Sequence, residues 1–493
     1  MSNTSLATRL SAVRATLAAV DQSHVLHFYD TLGDTQKQSL LAEVEAIDWP
    51  EVARLVDTYV KSKPKFELPK NVEPAPYYPG QPNTPALEKK YKEARAHGEA
   101  LIRAGKVAAF TVAGGQGTRL GWDAPKGTFP ATPIRKLPLF GCLAEYILKT
   151  QEKYECIVPW YIMTSPVNHE PTCDFLDEND YFGLPFRNIK IFPQAMMPAL
   201  DMTTGKVLLA SPSSLALSPN GHGGSLKALY TSGAIADMTK RGVEQISYVQ
   251  IDNPIVKVVD PLFIGLHALD GAQMSSKMLP KVAPKEKLGN FCKVDGRVTV
   301  IEYSDLPDEL AFQRLPAKEG QKEGDLRFRA GSIAIHVIRK DFVAKLNESA
   351  EGFALPFHRA EKKVPHVDLA TGQEVSPTKP NAVKLETFVF DALPMCESSI
   401  VYETDRIEEF APIKNADAAP GKPMEVDSPA SSIAIQIERA GRWLEKIGVP
   451  VTRDDAGRVE GIVEVAQATA IEAEDLIGTG LPDVIGPGTR LVI

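Results

Sequence analysis

The sequence predicts an α/β fold: a central mixed, mostly parallel sheet, with an N-terminal helical region and a small C-terminal β-rich domain. Three observations predict it. From residue 107 onward, short apolar β-favouring runs alternate with helical stretches, the pattern of a parallel sheet covered by helices. The first hundred residues instead repeat apolar side chains every three or four positions, the period of one helix face. After residue 411 the chain turns rich in Ala, Pro, Gly and Asp, then carries short apolar runs split by Gly and Pro.

Taken in order, Leu6, Leu10, Val13, Leu17 and Val20 mark a first helix face, and Leu40, Leu41, Val44 and Ile47 a second, which Trp49-Pro50 closes. A Pro-rich connector follows from Pro64 to Pro85. Tyr91–Arg103 reads as another helix, ended by Gly105. Val107–Val112, Trp160–Thr164, Ile189–Phe192 and Ile246–Ile251 read as strands; 137–153, 168–182 and 223–241 read as the helices between them. Phe291–Val294 and Arg297–Tyr303 flank Asp295-Gly296, a hairpin signal, and Ser399–Glu403 is a late strand. Residues 415–429 form a linker, 431–447 an amphipathic helix, and 459–493 the short β-rich end. The expected domains are 1–104 (helical), 105–410 (the α/β domain) and 411–493 (linker, helix and small C-terminal domain).

Composition narrows the function. The chain has 493 residues, enough for about three domains. Its 43% hydrophobic and 24% charged residues are those of an ordinary globular protein. A formal charge of −8 argues against a general nucleic-acid binder. Five scattered cysteines make no CxxC or zinc spacing and read as free thiols. With no signal-like N-terminus and no apolar run of about 20 residues, a cytoplasmic protein is expected, with no membrane or nucleic-acid partner.

The sharpest local signal is Ala113-Gly114-Gly115-Gln116-Gly117-Thr118-Arg119-Leu120-Gly121, then Pro125-Lys126-Gly127, directly after a strand. Glycines let backbone amides approach phosphates, and Arg119 and Lys126 add positive charge. The order Lys126-Gly127-Thr128 fails the Walker A pattern. The dinucleotide fingerprint also fails, since no acid lies between Asp123 and Glu145 to hold a ribose. GGxGTRLG…PKG fits a nucleotidyltransferase loop without gaps. Asp252 ends the strand Ile246–Ile251, where an α/β sheet presents ligand contacts; a magnesium ion takes one or two such carboxylates plus phosphates.

The chain resembles the eukaryotic-type UDP-N-acetylhexosamine pyrophosphorylases, within the wider UDP-sugar pyrophosphorylase family. The resemblance rests on 114–121, 125–127, FPQAMMPA at 192–199, PNGHGG at 219–224, QIDNPIVKVVDPLFIG at 250–265, VDGRVTVIEYSD at 294–305, KLETFVFD at 384–391 and APIKNAD at 411–417. It implies a glycosyltransferase-A-like nucleotide-binding sheet. It also implies an enzyme that joins UTP and N-acetylglucosamine 1-phosphate into UDP-N-acetylglucosamine and pyrophosphate, with Mg²⁺ as cofactor, acting as a monomer or weak homodimer. Gly114, Gly115, Gln116, Gly117, Thr118, Gln194 and Gly221 would hold the nucleotide, and Asp252 the metal. Arg119, Lys126 and Lys414 would neutralise the reacting phosphates. Gly289, Glu302, Tyr303, Lys384, Phe388 and Phe390 would line the sugar side, the two Phe residues around the N-acetyl group and Lys384 near the phosphates.

Two positions depart from that pattern. His222 and Ser332 stand where the N-acetylhexosamine enzymes carry Asn beside the sugar. His before glycine also resembles the glucose-type and broad-specificity UDP-sugar enzymes, which are the alternative reading. A nucleotide-sugar glycosyltransferase fits less well, because Asp252-Asn253-Pro254 lacks the second acid of a DxD motif. A non-catalytic nucleotide-sugar sensor would have no need of the basic set Arg119, Lys126 and Lys414.

Overall fold

The apolar runs in the middle of the chain become strands because both of their faces are covered: five of the six residues of Val107–Val112, and all five of Trp160–Thr164, are buried. A computed structural model describes residues 6–62, 67–317, 323–348 and 355–493. Its main sheet has ten strands. They are β1 (Val72–Pro74), β2 (Val107–Val112), β3 (Trp160–Thr164), β4 (Ile189–Pro193), β5 (Gln245–Gln250), β6 (Met274–Pro280), β7 (Gly289–Val294), β8 (Arg297–Ile301), β9 (Ala330–Arg339) and β10 (Ser399–Glu403). The order is β1-β7-β9-β5-β2-β3-β4, with β8 beside β7, and β6 joining β9 to β10. The block β5-β2-β3-β4 is parallel, as expected. Beyond it the sheet turns antiparallel at β9.

Strand β9 organises the centre. One edge runs along β6 from Ala330 to Ile338. The other edge is shared: Gly331 and Ser332 pair with the start of β7, and His336–Arg339 pair with β5. Between the two pairings Ala334 adopts φ 55°, and β6 carries a register shift between Ser276 and Met278. Such an irregularity bends the strand and re-aims its side chains. Here it separates the end of β5 from the start of β7 and leaves a cleft between them.

Two compact groups of contacts account for the described chain. The larger unit comprises Leu68–Pro193, Ser225–Ala354 and Phe390–Ile493 and contains the whole ten-stranded sheet. Its core packs Phe140, Trp160, Ile162, Val249 and Phe263 between sheet and helices. The helices Pro85–Arg103 and Pro261–Leu269 cross against it with backbones touching. A Cβ on Gly98 would lie 1.8 Å from Pro261 O, and one on Gly265 1.7 Å from Ala94 O. The helix Pro429–Lys446 leads to a small core of Trp443, Leu444, Val463, Leu476 and Ile485, with a parallel ladder of Ile462–Glu464 and Arg490–Val492.

The smaller unit comprises Met1–Glu67, Gln194–Gly224 and Leu355–Val389. The helices Leu6–Ala19 and Asp34–Glu45 present the expected faces, and Val13, Leu17, Leu40, Leu41 and Val44 are buried with Leu200, Val383 and Leu385. A three-stranded sheet of Phe357–Lys362, Ala382–Thr387 and Leu200–Asp201 completes it.

Three expectations are corrected. Trp49-Pro50 opens a helix, Trp49–Leu55, instead of closing one: the Asp48 carboxylate caps the Glu51 amide at 3.1 Å, and Pro50 sits in the first turn, where it lacks no needed N–H. Residues 168–182 do not stay helical. The helix ends at Glu178, and Asp180, Tyr181 and Phe182 all take left-handed φ of 46–52°. Residues 223–241 split into Gly224–Thr231 and Ala234–Arg241 at Gly233, φ 74°. The Pro-rich connector contributes β1, on which Pro74 occupies a strand end, as proline tolerates; its residues 63–66 lie outside the described residues. The Asp295-Gly296 hairpin forms as expected, with both residues at positive φ. Among the described residues no helix is long and apolar enough to cross a membrane.

Candidate active site

The glycine loop and Asp252 emerge side by side because their strands are in register. Val112 ends β2 opposite Gln250 at the end of β5, and Ile251 N donates to Val112 O at 3.1 Å. The loop is then tied down by few groups. Asn168 Nδ2 donates to Ala113 O and Gly115 O at 3.0 and 3.2 Å. Lys126 N donates to Gly115 O, and Gly117 N to Ala124 O. Gly117 is needed where it stands, since a Cβ there would meet Trp122 at 2.7 Å. Around Gly115 there is open space within 4 Å, and among the described residues the amides of Gly115 and Gln116 make no hydrogen bond. Free amides beside open space suit an anion. Thr118 and Arg119 are exposed at the loop's end, and no ion pair holds Arg119 among the described residues.

Lys126 turns inward to Asp252. Its Nζ lies 3.5 Å from Oδ2, with both side chains mostly buried. Asp252 lines the cleft between β5 and β7 together with Gly289, Glu302, Ser332, Phe390 and Lys414. Six predicted site residues from distant parts of the sequence thus meet in one place. The register explains the sugar-side wall. Gly289 pairs with Ser332 across β7 and β9, and a Cβ on Gly289 would meet Glu302 Oε1 at 3.3 Å and Ser332 Cβ at 3.7 Å. Tyr303, the next residue, is 37% exposed and does not line the cleft.

Lys414 reaches the cleft from a loop pinned on both sides. Ile413 N donates to Asp252 O at 2.9 Å, and Lys414 N and Asn415 N both donate to Asp427 O. The Lys414 ammonium lies over the Phe410 ring at 5.3 Å and 3.9 Å from the Asp427 carboxylate. Burial pushes the Asp427 carboxyl above its ordinary value, Lys414 opposing that and Asp252 adding to it.

Sequence reasoning missed Gln250, Lys287 and Phe410, which also line the cleft. Lys287 could have been found: with Lys281 and Lys285 it forms a basic run just before Gly289. Asn168 carries no signal, since its role depends on where the loop folds.

The remaining predicted residues lie in the smaller unit. Gln194 is buried, and its Oε1 has no partner among the described residues. Gly221 sits at φ 84°, where a Cβ would meet Thr387 O at 2.4 Å, so the position requires glycine. His222 Nδ1 accepts the Val389 N–H at 3.2 Å, which leaves the ring proton on Nε2. Its ring stacks on Phe388 at 5.2 Å, and His358 stacks on Phe388 at 4.2 Å. Burial, with a smaller contribution from His358, pushes the His222 pKa down to about 4, so the ring is neutral at pH 7. Lys384 lies on the strand Ala382–Thr387, opposite Ala360.

The donor set also bears on the metal. Among the described residues no group of three or more His, Cys, Asp or Glu is placed to hold a metal ion. Of the two cleft carboxylates, Asp252 and Glu302, Asp252 is the one that emerges beside the glycine loop with its free amides, and a single carboxylate there fits an ion that arrives with phosphates and keeps several waters, the habit of Mg²⁺.

Residues 80–419 match the family model described as UTP–glucose-1-phosphate uridylyltransferase. The chain is similar to the UDP-N-acetylhexosamine pyrophosphorylase-like protein 1 of Homo sapiens, 34% identical over 451 residues, covering 88% of this chain and 85% of that protein. It is similar to the UDP-N-acetylglucosamine pyrophosphorylase of Saccharomyces cerevisiae, 32% identical over 468 residues, with 92% and 94% covered. Its fold matches a crystal structure of the uridine diphosphate N-acetylglucosamine pyrophosphorylase of Trypanosoma brucei, with a TM-score of 0.81 at 24% identity over 97% of each chain.

Proposed function

We propose that this chain, which belongs to the UTP–glucose-1-phosphate uridylyltransferase family, joins UTP and N-acetylglucosamine 1-phosphate to form UDP-N-acetylglucosamine and pyrophosphate. The observation that carries the reading is the single cleft in which Asp252, held by Lys126, faces Lys414 and the Gly289–Glu302–Ser332 wall.

The sugar phosphate oxygen attacks the α-phosphorus in line, and pyrophosphate leaves. Both reactants are anions, so the protein's task is positioning and charge neutralisation. The amides of Gly115 and Gln116 donate to phosphate oxygens. Arg119 and Lys126 neutralise the triphosphate and the leaving pyrophosphate, and Lys414 the reacting phosphates. No general base is required, because the attacking phosphate is already ionised. Asp252 is the residue that would hold Mg²⁺, which supplies further charge neutralisation when bound. Glu302 accepts from sugar hydroxyls, and Ser332 and Phe390 border them. In the smaller unit, the unpaired Gln194 Oε1 suits the N3–H of a pyrimidine. A compartment that keeps thiols reduced, the cytoplasm, suits the five free cysteines, and UTP and the sugar phosphate are the partners of a monomer or weak homodimer.

A second reading, use of glucose 1-phosphate, is favoured by His222 and Ser332. Losing one methyl contact is worth about 1–3 kcal/mol, or about 10–200-fold, so preference and exclusion differ. Pyrophosphate release from UTP and Mg²⁺ with a panel of sugar 1-phosphates tests both. GlcNAc 1-phosphate is expected to give the higher kcat/KM, with detectable use of glucose 1-phosphate. A tenfold preference for glucose 1-phosphate would overturn the sugar and leave uridylyl transfer intact.

A further inference from the structure

Asp252 and Lys414 belong to loops far apart in sequence, and one side chain spans the gap between those loops. Asn253 is 4% exposed, and both ends of its amide are used. Nδ2 donates to Glu409 O at 2.6 Å, and Oδ1 accepts from Ala411 N at 3.1 Å. The neighbouring backbone adds the bond from Ile413 N to Asp252 O. The far end of this strut is itself fixed. The fully buried Glu409 carboxylate accepts from Lys277 Nζ at 2.6 and 2.7 Å and from Thr404 Oγ1 at 2.7 Å. Lys277, on β6 and fully buried, also donates to Asp260 at 2.6 Å. A continuous set of contacts therefore runs from the centre of the sheet, through Glu409 and Asn253, to both charged loops.

We propose that Asn253 is a positioning residue for uridylyl transfer: its amide sets the spacing between the Asp252 carboxylate and the Lys414 ammonium. The inference rests on the functional reading above. It also explains why an amide follows Asp252 instead of a second acid. A carboxylate could still accept from Ala411 N, but it has no proton to donate to Glu409 O and would face that carbonyl with like charge. Alanine would lose both contacts. Asn253 borders the cleft, but both ends of its amide are taken by the backbone of residues 409 and 411. Because a misplacement of about 1 Å at a phosphate-transfer site can cost about 100-fold in rate, it acquires a large effect on kcat through the positions of its neighbours.

The test uses the full chain with saturating Mg²⁺, comparing wild type, Asn253→Ala, Asn253→Asp, Lys414→Ala and the double variant Asn253→Ala/Lys414→Ala. Tm, kcat and the KM for UTP are measured for each. Asn253→Ala is expected to lose about 100-fold in kcat with the KM for UTP little changed. If it acts through Lys414, the double variant will be little slower than Lys414→Ala alone, a non-additivity that a general loss of stability does not produce. Wild-type kcat in Asn253→Ala, or losses that multiply in the double variant, would overturn the proposal. Should Asn253→Ala fail to fold, the near-isosteric Asn253→Asp carries the test: a similar loss in kcat supports the proposal, and wild-type kcat overturns it. If neither folds, Asn253 is structural and the proposal is overturned. A wild type that releases no pyrophosphate with any sugar 1-phosphate would reject uridylyl transfer and this inference together, an outcome separate from an active wild type with an indifferent Asn253.

Discussion

Lys126 and Lys414 each rest near a carboxylate, Asp252 at 3.5 Å and Asp427 at 3.9 Å. Neither is part of an apolar core. Lys126→Ala and Lys414→Ala should therefore each lower kcat by about 100-fold or more, the cost of a preorganised charge, with little change in Tm; steady-state kinetics beside thermal unfolding checks both halves. His222 offers a pH test. Its folded pKa of about 4 lies below the ordinary 6.5, so the unfolded chain binds the proton more readily. The stability it contributes is complete above pH 6.5 and is lost as pH falls towards 4. His222→Asn should flatten Tm against pH over that window; an unchanged slope would place the titration elsewhere. At this scale the sequence was legible where a motif named one residue, and less so where neighbours competed. Glu302 and Tyr303 were both expected at the sugar. Asn290 pairs with Ile301, which puts Glu302 beside Gly289; the chain then turns, with Asp305 N and Leu306 N donating to Glu302 O, and Tyr303 is left outside the cleft.

Among the elements, the contact between the helices Pro85–Arg103 and Pro261–Leu269 is the least forgiving. Gly98 and Gly265 face backbone atoms, which cannot rotate aside as a side chain can. Gly98→Ala or Gly265→Ala should destabilise by about 1–3 kcal/mol or more, despite the gain in helix propensity, and denaturant unfolding measures it. A neutral result would mean that the helices can separate freely. The sequence announced the parallel block β2 to β5 through its apolar runs. It also carries a signal for β9, where Ile333, Ile335 and Val337 alternate with period two. Trp49-Pro50 misled because proline ends one helix and begins another with equal ease, and only the Asp48 cap decides between them. Left-handed backbone at Tyr181 and Phe182 has no sequence signature, because residues with a Cβ rarely adopt it.

For the larger unit as a whole, long-range ion pairs hold the C-terminal segment to the sheet domain. Glu464 accepts from Ile134 N, Arg135 N and Arg135 Nε at 2.6–2.9 Å, while Arg135 also pairs with Glu145. Burial acts to raise the Glu464 carboxyl, but the Arg135 guanidinium and the two amides outweigh it and hold it below 4.5. Its stabilisation is present above the ordinary carboxylate range and is lost as pH falls through it. Glu464→Ala should cost about 3 kcal/mol at pH 7 and less near pH 3, which calorimetry at both values would show. Equal losses at both would mean that packing, not charge, makes the contact. These ties, like Lys277–Asp260–Glu409, were not legible in the sequence. Each joins residues that only the completed fold makes neighbours, and no spacing rule reaches that far.

Strand β9 borders both lips of the cleft, and this limits how the site can respond to its substrates. The separation of Gly289 from Tyr248, the last β5 residue paired with β9, is a length of β9 backbone, Ser332 to His336, and not the opening of a hinge. To widen it, ladder bonds inside a buried sheet would have to break. The β9 amides paired to β5 should thus exchange with deuterium only at the rate of global unfolding, and bound UDP-sugar should leave their protection ranking unchanged. Faster, ligand-sensitive exchange there would reveal a breathing cleft. If the gap is fixed, one hexose can be told from another only by what protrudes into it, and the side chain at 332 becomes the cheapest place for a new preference to arise.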